Sequence, residues 1–596
     1  MMKNILRLLI IVPLFVACED VFTPEKENIR DLDAMYNEPT YAQGILANAY
    51  VLLPYSTSPT SDVATDDAVT NDISNDYLRM ATGSWAANFN PTSQWQTRKN
   101  VIQYLNIFLE NADKVIWSKD EIVRTMYNDR LKGEAYGLRA LQMYYLLLAH
   151  GGWTEDGRLL GVPIDTIPET SSSDFNKPRD TFGKCIQQLY RDAQRAIELL
   201  PLDYGDITDA QIPAKYRALG VTVASHYNRV NGNHMRGRLT ARIVEAIRAQ
   251  AALLAASPAY NQGSGVTWEE AANYAAVVLD RINGTTGLAA NGGTWYANVN
   301  EIENLGSGVV PPEIIWRGDI GQSNSLETDN FPPSLYGRGR INPTQNLVDA
   351  FPMANGYPID NGASVYDPAN PYSNRDPRLA KYIVVNESKQ GPQNSTIITG
   401  LYGTNNDVLN KESGYSTRTG YYLRKLLRPD CNPDPQYNTQ QKHYTARIRY
   451  TEIFLIYAEA ANEAWGPTGK GSHAYSAYDV IKAIRKRAGL GTGNEDPYLE
   501  SIKNDRDKMR ELIRNERRLE LCFENHRFWD LRRWKVELNK LNETAKGMQI
   551  QKKSDGLLQY SPIEVETRVY KDHMYYGPIP YEEIRKWSQL EQNKNW

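Results

Sequence analysis

The chain has 596 residues, of which 41% are hydrophobic and 23% charged, with a formal net charge of −4. That length supports a large buried core, and those proportions are ordinary for a globular protein. The mildly acidic balance, with no basic face, excludes a nucleic-acid-binding surface. Four cysteines without a CxxC pair argue against a disulfide framework and against a cysteine-based metal centre.

The first element is a leader over residues 1–17. Lys3 and Arg7 form a short basic region, Leu8 to Val16 an apolar run, and Ala17 a small residue just before Cys18. Such a segment is a secretory signal, too short to be a membrane-spanning helix. Phe15-Val16-Ala17-Cys18 resembles a bacterial lipobox, which implies a lipid on Cys18. Glu19 and Asp20 behind it resemble the surface-export signal of Bacteroidetes lipoproteins.

Helical periodicity then recurs in blocks. Leu131, Ala135, Leu138, Leu141, Tyr145 and Leu148 follow steps of three and four. Phe182 to Leu200 repeats the pattern and stops at Pro201. Residues 239–256 are apolar on nearly all sides, which predicts a buried helix ended by Ser257-Pro258, with Trp268 to Ile282 as its partner. Arg449 to Trp465 and Tyr475 to Ala488 form another pair, the second closed by Gly489. The pairs share alanines at helical spacing, which predicts a mainly α scaffold of divergent tetratricopeptide-type helix pairs. Long loop-rich insertions with small β elements interrupt it.

Two segments depart from this pattern. Residues 54–98 and 284–445 are rich in Gly, Pro, Asn, Asp and Ser, with strand-like runs such as Glu313 to Trp316. Long irregular segments in a compact protein tend to carry function, so these two are expected to meet and form a ligand surface. Tyr (38) and Trp (12) outnumber Phe (11), which favours half-wet contact surfaces of the kind sugar rings need. Within them Tyr296, beside Trp295 in a Gly-flanked turn, and Tyr336 are candidate ligand contacts. Asp67, with Asp66, could accept sugar hydroxyls or hold calcium, whereas Trp95 is expected to start a helix in the core and Trp316 to be half buried.

An ordered set of motifs resembles the SusD/RagB family of nutrient-binding outer-membrane lipoproteins. It runs from Gly133-Glu134-Ala135, Tyr144-Tyr145 and Val162-Pro163 through Ala249 to Asn261, Pro343 to Phe351 and Asp376-Pro377-Arg378-Leu379. It continues with Tyr457 to Ala460, Ile484 to Leu490, Ile513 to Arg518, Arg527 to Trp534 and Pro578-Ile579-Pro580. The resemblance implies one SusD-like unit over 18–596, with helical scaffold at about 30–283 and 446–596. It implies a lid that binds oligosaccharide and delivers it to a SusC-like, TonB-dependent transporter, with a peptide-capturing lid as the alternative. In sugar-binding members a Trp and an Asn three apart in the early region contact glycan, which points to Trp85 and Asn88. Glu516, Arg517, Glu520, Arg527 and Asp530 fall at helical spacing and read as charge pairs along the face of one helix.

No catalytic motif emerges. The seven histidines lack metal-ligand spacing and no HExxH or GxSxG occurs, so neither a metal nor a cofactor is expected. Gly466 to Ser472 only mimics a phosphate loop, because Lys470 is followed by Gly471. A surface glycoside hydrolase stays open as the less favoured alternative, since paired carboxylates carry no sequence signature.

Overall fold

The computed structural model describes residues 32–493 and 495–596. The leader, the lipobox and the expected lipidation site Cys18 lie outside the described residues. Ten helices organise the rest: α1 (Pro39–Val51), α2 (Trp95–Asn111), α3 (Glu121–His150), α4 (Phe182–Leu199), α5 (Ala241–Ala256), α6 (Trp268–Asp280), α7 (Tyr450–Trp465), α8 (Ala477–Ala488), α9 (Arg506–Leu521) and α10 (Arg527–Arg533). Their starts follow from side chains that accept otherwise unpaired backbone N–H groups. Asp120 accepts from Ile122 and Val123, Thr181 from Lys184, Thr240 from Ile243 and Thr267 from Glu270. Ser476 and Asp479 form a reciprocal box at the head of α8, and Gly489 closes it in the left-handed conformation at φ 89°.

Consecutive helices pack as antiparallel-type pairs: α3 on α4, α5 on α6, and α7 against α6 and α9. The mainly α, tetratricopeptide-like fold expected from the repeats is what the chain adopts. Close approach depends on small residues. A Cβ built on Gly137 of α3 would lie 2.4 Å from Leu239, 2.7 Å from Val244 and 3.3 Å from Ala196, so three segments meet there. α5 is buried along nearly its whole length, as its unbroken apolar sequence requires. Among the described residues, no helix is long and apolar enough to cross a membrane.

The sheets are small two-stranded antiparallel pairs. One of them joins the two loop-rich segments: Ala68–Thr70 pairs with Ile341–Pro343, Val69 opposite Asn342. Side-chain donors extend the seam, the Thr344 hydroxyl donating to the Asp66 carbonyl at 2.5 Å and the Asn71 amide to that of Arg338 at 2.9 Å. A second pair, Ile314–Arg317 with Ala446–Arg449, hands the chain back to α7. The 284–445 region has a core of its own, built on Phe331, Phe351, Tyr382, Tyr421 and Tyr422.

The arginine-rich C-terminal motif departs from expectation. It is two helices, not one, because Phe523 and Asn525 both adopt left-handed backbone at φ 62°. Its charges also face inward instead of lining an exposed face: Glu516 is fully buried, and Arg517, Glu520 and Asp530 nearly so. Each finds counter-charges. Arg378 bridges Asp376 (2.7 Å), Glu516 (2.8 Å) and Glu520 (2.9 Å), while Arg485 spans Glu516 (2.8 Å) and Asp496 (2.5 Å). Arg487 reaches Glu520 at 2.8 Å, and Arg449 joins Glu313 and Glu524 at 2.8 Å each. Arg517 and Arg533 share Asp530 at 2.8 Å.

Two predictions follow from this packing. Gly137→Leu forces a side chain into occupied space and is expected to cost at least about 2 kcal/mol in denaturant unfolding. Gly44, exposed on α1 with open space where its Cβ would sit, is the control. There Gly44→Ala is expected to stabilise by about 0.5–1 kcal/mol, because alanine restricts the unfolded chain.

The second concerns acid. Burial opposes ionisation of Glu520, Glu524 and Asp530, but their arginine and lysine partners outweigh it and hold each carboxyl at about 2. Burial lowers His150 to about 4, its ring held between the Pro578 carbonyl (2.7 Å) and the Gln94 N–H (3.0 Å). All four groups take up protons more readily unfolded than folded. The carboxylates' contribution is therefore whole above pH about 4.5 and lost toward pH about 2, and that of His150 is lost between pH about 6.5 and about 4. Thermal unfolding midpoints should fall steadily from pH 7 to pH 3, with a net loss on the order of several kcal/mol. A flat profile over that range would contradict the paired state of this network.

Candidate functional site

The largest recess is a cleft of about 400 Å³ in the middle of the helical scaffold. Its walls come from Tyr144, Tyr145 and Leu148 of α3, Gln250 and Leu254 of α5, Glu452 of α7, and Trp529 and Asp530 of α10. Residues 54–61 and 92–98 close one side. The tyrosines sit where a leucine-rich helix turns one stripe toward the cleft. Tyr144 and Tyr145 lie edge to face at 5.2 Å, and Tyr145 meets Tyr55 the same way at 5.9 Å. Edge-to-face geometry leaves ring faces for a further partner.

The left-handed turn after α9 shapes the rim. Asn525 accepts from Ser61 N (3.0 Å), Ser61 Oγ (3.1 Å) and Thr60 Oγ1 (3.2 Å), and donates to the Ser58 carbonyl at 2.9 Å. Asp62 accepts the Phe523 and Asn525 N–H groups at 3.1 and 3.0 Å. The turn thus clasps residues 58–62 along the edge of the cleft.

Polar groups in the cleft are only partly committed. Arg98 gives Nη1 to the Leu52 carbonyl (2.6 Å) and Gln142 (2.8 Å), Gln250 gives its amide to Glu452 (2.8 Å), and Arg517 gives Nε to Asp530 (2.8 Å). Arg98 Nε, Gln250 Oε1 and Arg517 Nη1 are buried without a hydrogen-bond partner. Such groups cost free energy until something satisfies them. Burial lowers the pKa of Arg98 and of Arg447 and raises that of Tyr144, so the cleft holds neutral phenols beside charged guanidiniums.

A smaller cavity of about 60 Å³ adjoins it, sharing Ser56, Ala446, Glu524 and Asn525 as wall residues. It is lined by Trp295, Tyr296, His443 and Tyr444. The 284–445 region therefore meets the 54–98 region as expected, but lines this minor cavity and not the main cleft.

The structure redistributes the residues singled out by sequence. Trp85 is a core residue, 4% exposed. It packs on Phe528 (5.8 Å) and Trp596 (5.0 Å), lies against the Arg532 guanidinium (5.1 Å), and donates Nε1 to Asn90 (3.1 Å). Enclosed by these partners, its ring is buried and not presented to solvent. Asn88, three residues on, is exposed in a tight turn between Ala86 and Phe89, so the expected pair is split between core and surface.

Tyr296 is buried as well, its hydroxyl donating to the Lys381 carbonyl at 3.2 Å, and Trp295 is buried against Tyr444 at 5.3 Å. Two adjacent aromatics fit inside because their rings pack edge to face on each other at 5.7 Å. Asp67 is fully buried on Arg518 (2.6 Å), and Asp66 pairs with Arg527 (2.8 Å), so the acidic loop holds arginines in the interior and does not face solvent as a ligand surface was expected to. Tyr336 is 55% exposed and left-handed at φ 62°. Trp95 begins α2 in the core as expected, while Trp316 is fully buried, not half, under Arg447. Gly466 to Ser472 is the α7–α8 loop, with Gly471 packed on Trp465.

Tyr144, Tyr145 and Trp529 were visible only as scaffold motifs. The signal that could have marked them is a pair of tyrosines inside an otherwise leucine-rich helical stripe.

This is a helical binding scaffold with a preformed aromatic and polar cleft. The chain belongs to the SusD/RagB family: a profile of the SusD family matches residues 312–596, and a SusD-like profile described as starch-binding associating with outer membrane matches residues 27–222. Among curated relatives, SusD-like protein P2 of Formosa agariphila is 38% identical over 89 residues and SusD-like protein P25 is 27% identical over 164. Those matches cover only 16% and 26% of the relatives' length. The fold extends over nearly the whole chain. A SusD-like protein from Bacteroides fragilis superposes with TM-score 0.70 at 22% identity, covering 95% of this chain and 99% of that one. A laminarin-binding SusD-like protein superposes with TM-score 0.55 at 20% identity, covering 94% and 100%.

The placement of Trp85 makes its removal a folding experiment. Trp85→Ala should cost about 3–5 kcal/mol of stability. Where the variant is folded, its ligand affinity should match the parent; a selective loss of binding at unchanged stability would return Trp85 to the site.

Proposed function

We propose that this protein is a cell-surface lipoprotein that binds oligosaccharide in the central cleft and delivers it to a TonB-dependent outer-membrane transporter. The observation that carries the binding reading is the cleft itself. Its volume of about 400 Å³ falls in the range of small-ligand sites. Tyrosine and tryptophan rings suit the C–H faces of sugars, and polar wall residues such as Gln94, Thr97 and Glu452 suit hydroxyls, which both donate and accept. Shared fold with a laminarin-binding protein supports the same ligand class.

Cys18 carries the lipid in this reading, and the family description as outer-membrane-associated supports that address. Tethering raises the local concentration of the protein at its transporter, so a modest docking affinity suffices. The protein acts by capture and transfer, with no bond broken. Asn88 and Tyr336, exposed outside the cleft lining, serve as peripheral contacts.

Isothermal titration of the mature chain against oligosaccharides, including laminarin- and starch-derived ones, tests the proposal. At least one series should bind, with Trp529→Ala and Tyr144→Ala each weakening it about tenfold, the loss of one stacking surface. Peptides binding while every glycan stays silent would replace sugar with peptide as the ligand. Shortened glycan products after incubation would make the protein a hydrolase.

A further inference from the structure

Away from the cleft, three residues distant in sequence converge. Glu327 lies in the short helix Ser325–Asn330, Cys431 in the loop that precedes the strand Gln441–His443, and His443 at the end of that strand. Pairing of that strand with Gly321–Ser323, His443 opposite Gly321, brings them together. A carboxylate oxygen of Glu327, Sγ of Cys431 and a ring nitrogen of His443 all lie within 4.8 Å of one another. We propose that Glu327, Cys431 and His443 form a binding site for a borderline-soft divalent transition metal of the zinc type.

The donor set selects the metal. One thiolate, one imidazole and one carboxylate match zinc or cobalt, whereas calcium needs six to eight oxygens. Three protein ligands leave a fourth position for water or another small donor. Glu327 and Cys431 are fully buried, and His443 is 13% exposed at its side chain. His443 also lines the small cavity beside the cleft, which gives an ion a route inward.

Hydrogen bonding points the same way. His443 Nδ1 lies 2.8 Å from the Gln441 carbonyl, which only an N–H can satisfy, so Nε2 of a neutral ring carries the lone pair. That nitrogen is 3.0 Å from Glu327 Oε1, which already accepts the Arg428 N–H at 2.7 Å. Two lone-pair atoms at that distance require a cation between them, either a proton or a metal ion. The other carboxylate oxygen, Glu327 Oε2, is buried with no hydrogen-bond partner at all. A bound metal satisfies both oxygens' surroundings at once.

Charge balances in both states. Without metal, a protonated His443 neutralises Glu327 and the Cys431 thiol is uncharged. With metal, the two positive charges meet one carboxylate and one thiolate, and the histidine is neutral. Metal uptake therefore displaces about two protons, one from the imidazole and one from the thiol. Burial and the neighbouring Glu327 and Asp430 hold the thiol protonated, with Arg428 opposing them. Burial also disfavours the imidazolium, as does Arg428, but Glu327 and the Gln441 carbonyl raise His443 overall. Affinity should accordingly rise steeply with pH. No spacing pattern announces the site, because the three ligands stand 104 and 12 positions apart and only the strand register unites them.

The test uses the mature chain, without a polyhistidine tag, reduced and stripped by a chelator. Titration with cobalt(II) should give a thiolate-to-metal charge-transfer band that saturates at one equivalent and is displaced by zinc. Competition with a chromophoric chelator should show at least tenfold tighter zinc binding at pH 8 than at pH 6. Cys431→Ser should abolish the band and His443→Gln weaken binding at least tenfold, while Cys185→Ser leaves both unchanged. Should Cys431→Ser fail to fold, Glu327→Gln, which keeps the side-chain shape, should still weaken zinc at least tenfold. A folded parent without the band, a band surviving Cys431→Ser, or equal competition by calcium overturns the proposal.

Discussion

The fold turns on the need to neutralise arginine inside the protein. The C-terminal motif places Arg517, Arg518, Arg527 and Arg533 in the interior, and no guanidinium can shed its proton there. Each must bring a carboxylate with it, since a lone buried charge is far costlier than a buried pair. Most of the carboxylates come from remote stretches, Asp66 and Asp67 near the start and Glu459 on α7, while Asp530 is supplied by the motif itself. Removing one partner from such a pair typically costs 3–5 kcal/mol, so these contacts specify which segments meet even where they add little net stability.

Charged groups of the same kind stand around the cleft: Arg98, Glu452, Arg517 and Asp530 are among its wall residues. The turn through Phe523 and Asn525 holds the 58–62 segment at the rim instead of letting it collapse inward. The recess is thus bordered by polar packing, with Tyr144 and Tyr145 among its walls. Arg532 shows the other solution: held among the rings of Trp85, Phe528 and Tyr570, it has no carboxylate, and burial lowers it to about 10. This explains why a tryptophan in a loop-rich stretch lies in the core.

Much of the architecture was legible along the chain. Helices α4 and α6 to α8 begin and end within two residues of their expected limits, because their signals are local: a capping side chain, a proline, a glycine that accepts positive φ. The SusD/RagB family was legible for the same reason, since its motifs are contiguous. The break between α9 and α10 was not, as neither Phe523 nor Asn525 announces left-handed backbone. The candidate site fared worst. Of the five residues named for ligand contact, Trp85, Tyr296 and Asp67 are buried, and only Asn88 and Tyr336 face solvent.

The sequence by itself determined the helical class and the paired-helix repeat, because periodicity and capping act over a few residues, and its ordered motifs carried the resemblance to the family. Only the tertiary structure decided which aromatic rings are core and which line the cleft, which acids hold arginines, and which cysteine meets a histidine. Those outcomes depend on pairs such as Asp66 with Arg527 or Glu327 with His443, whose partners are separated by hundreds or scores of positions. No local pattern encodes them; the physical requirement that a buried charge find a counter-charge, or at least an aromatic surround, does.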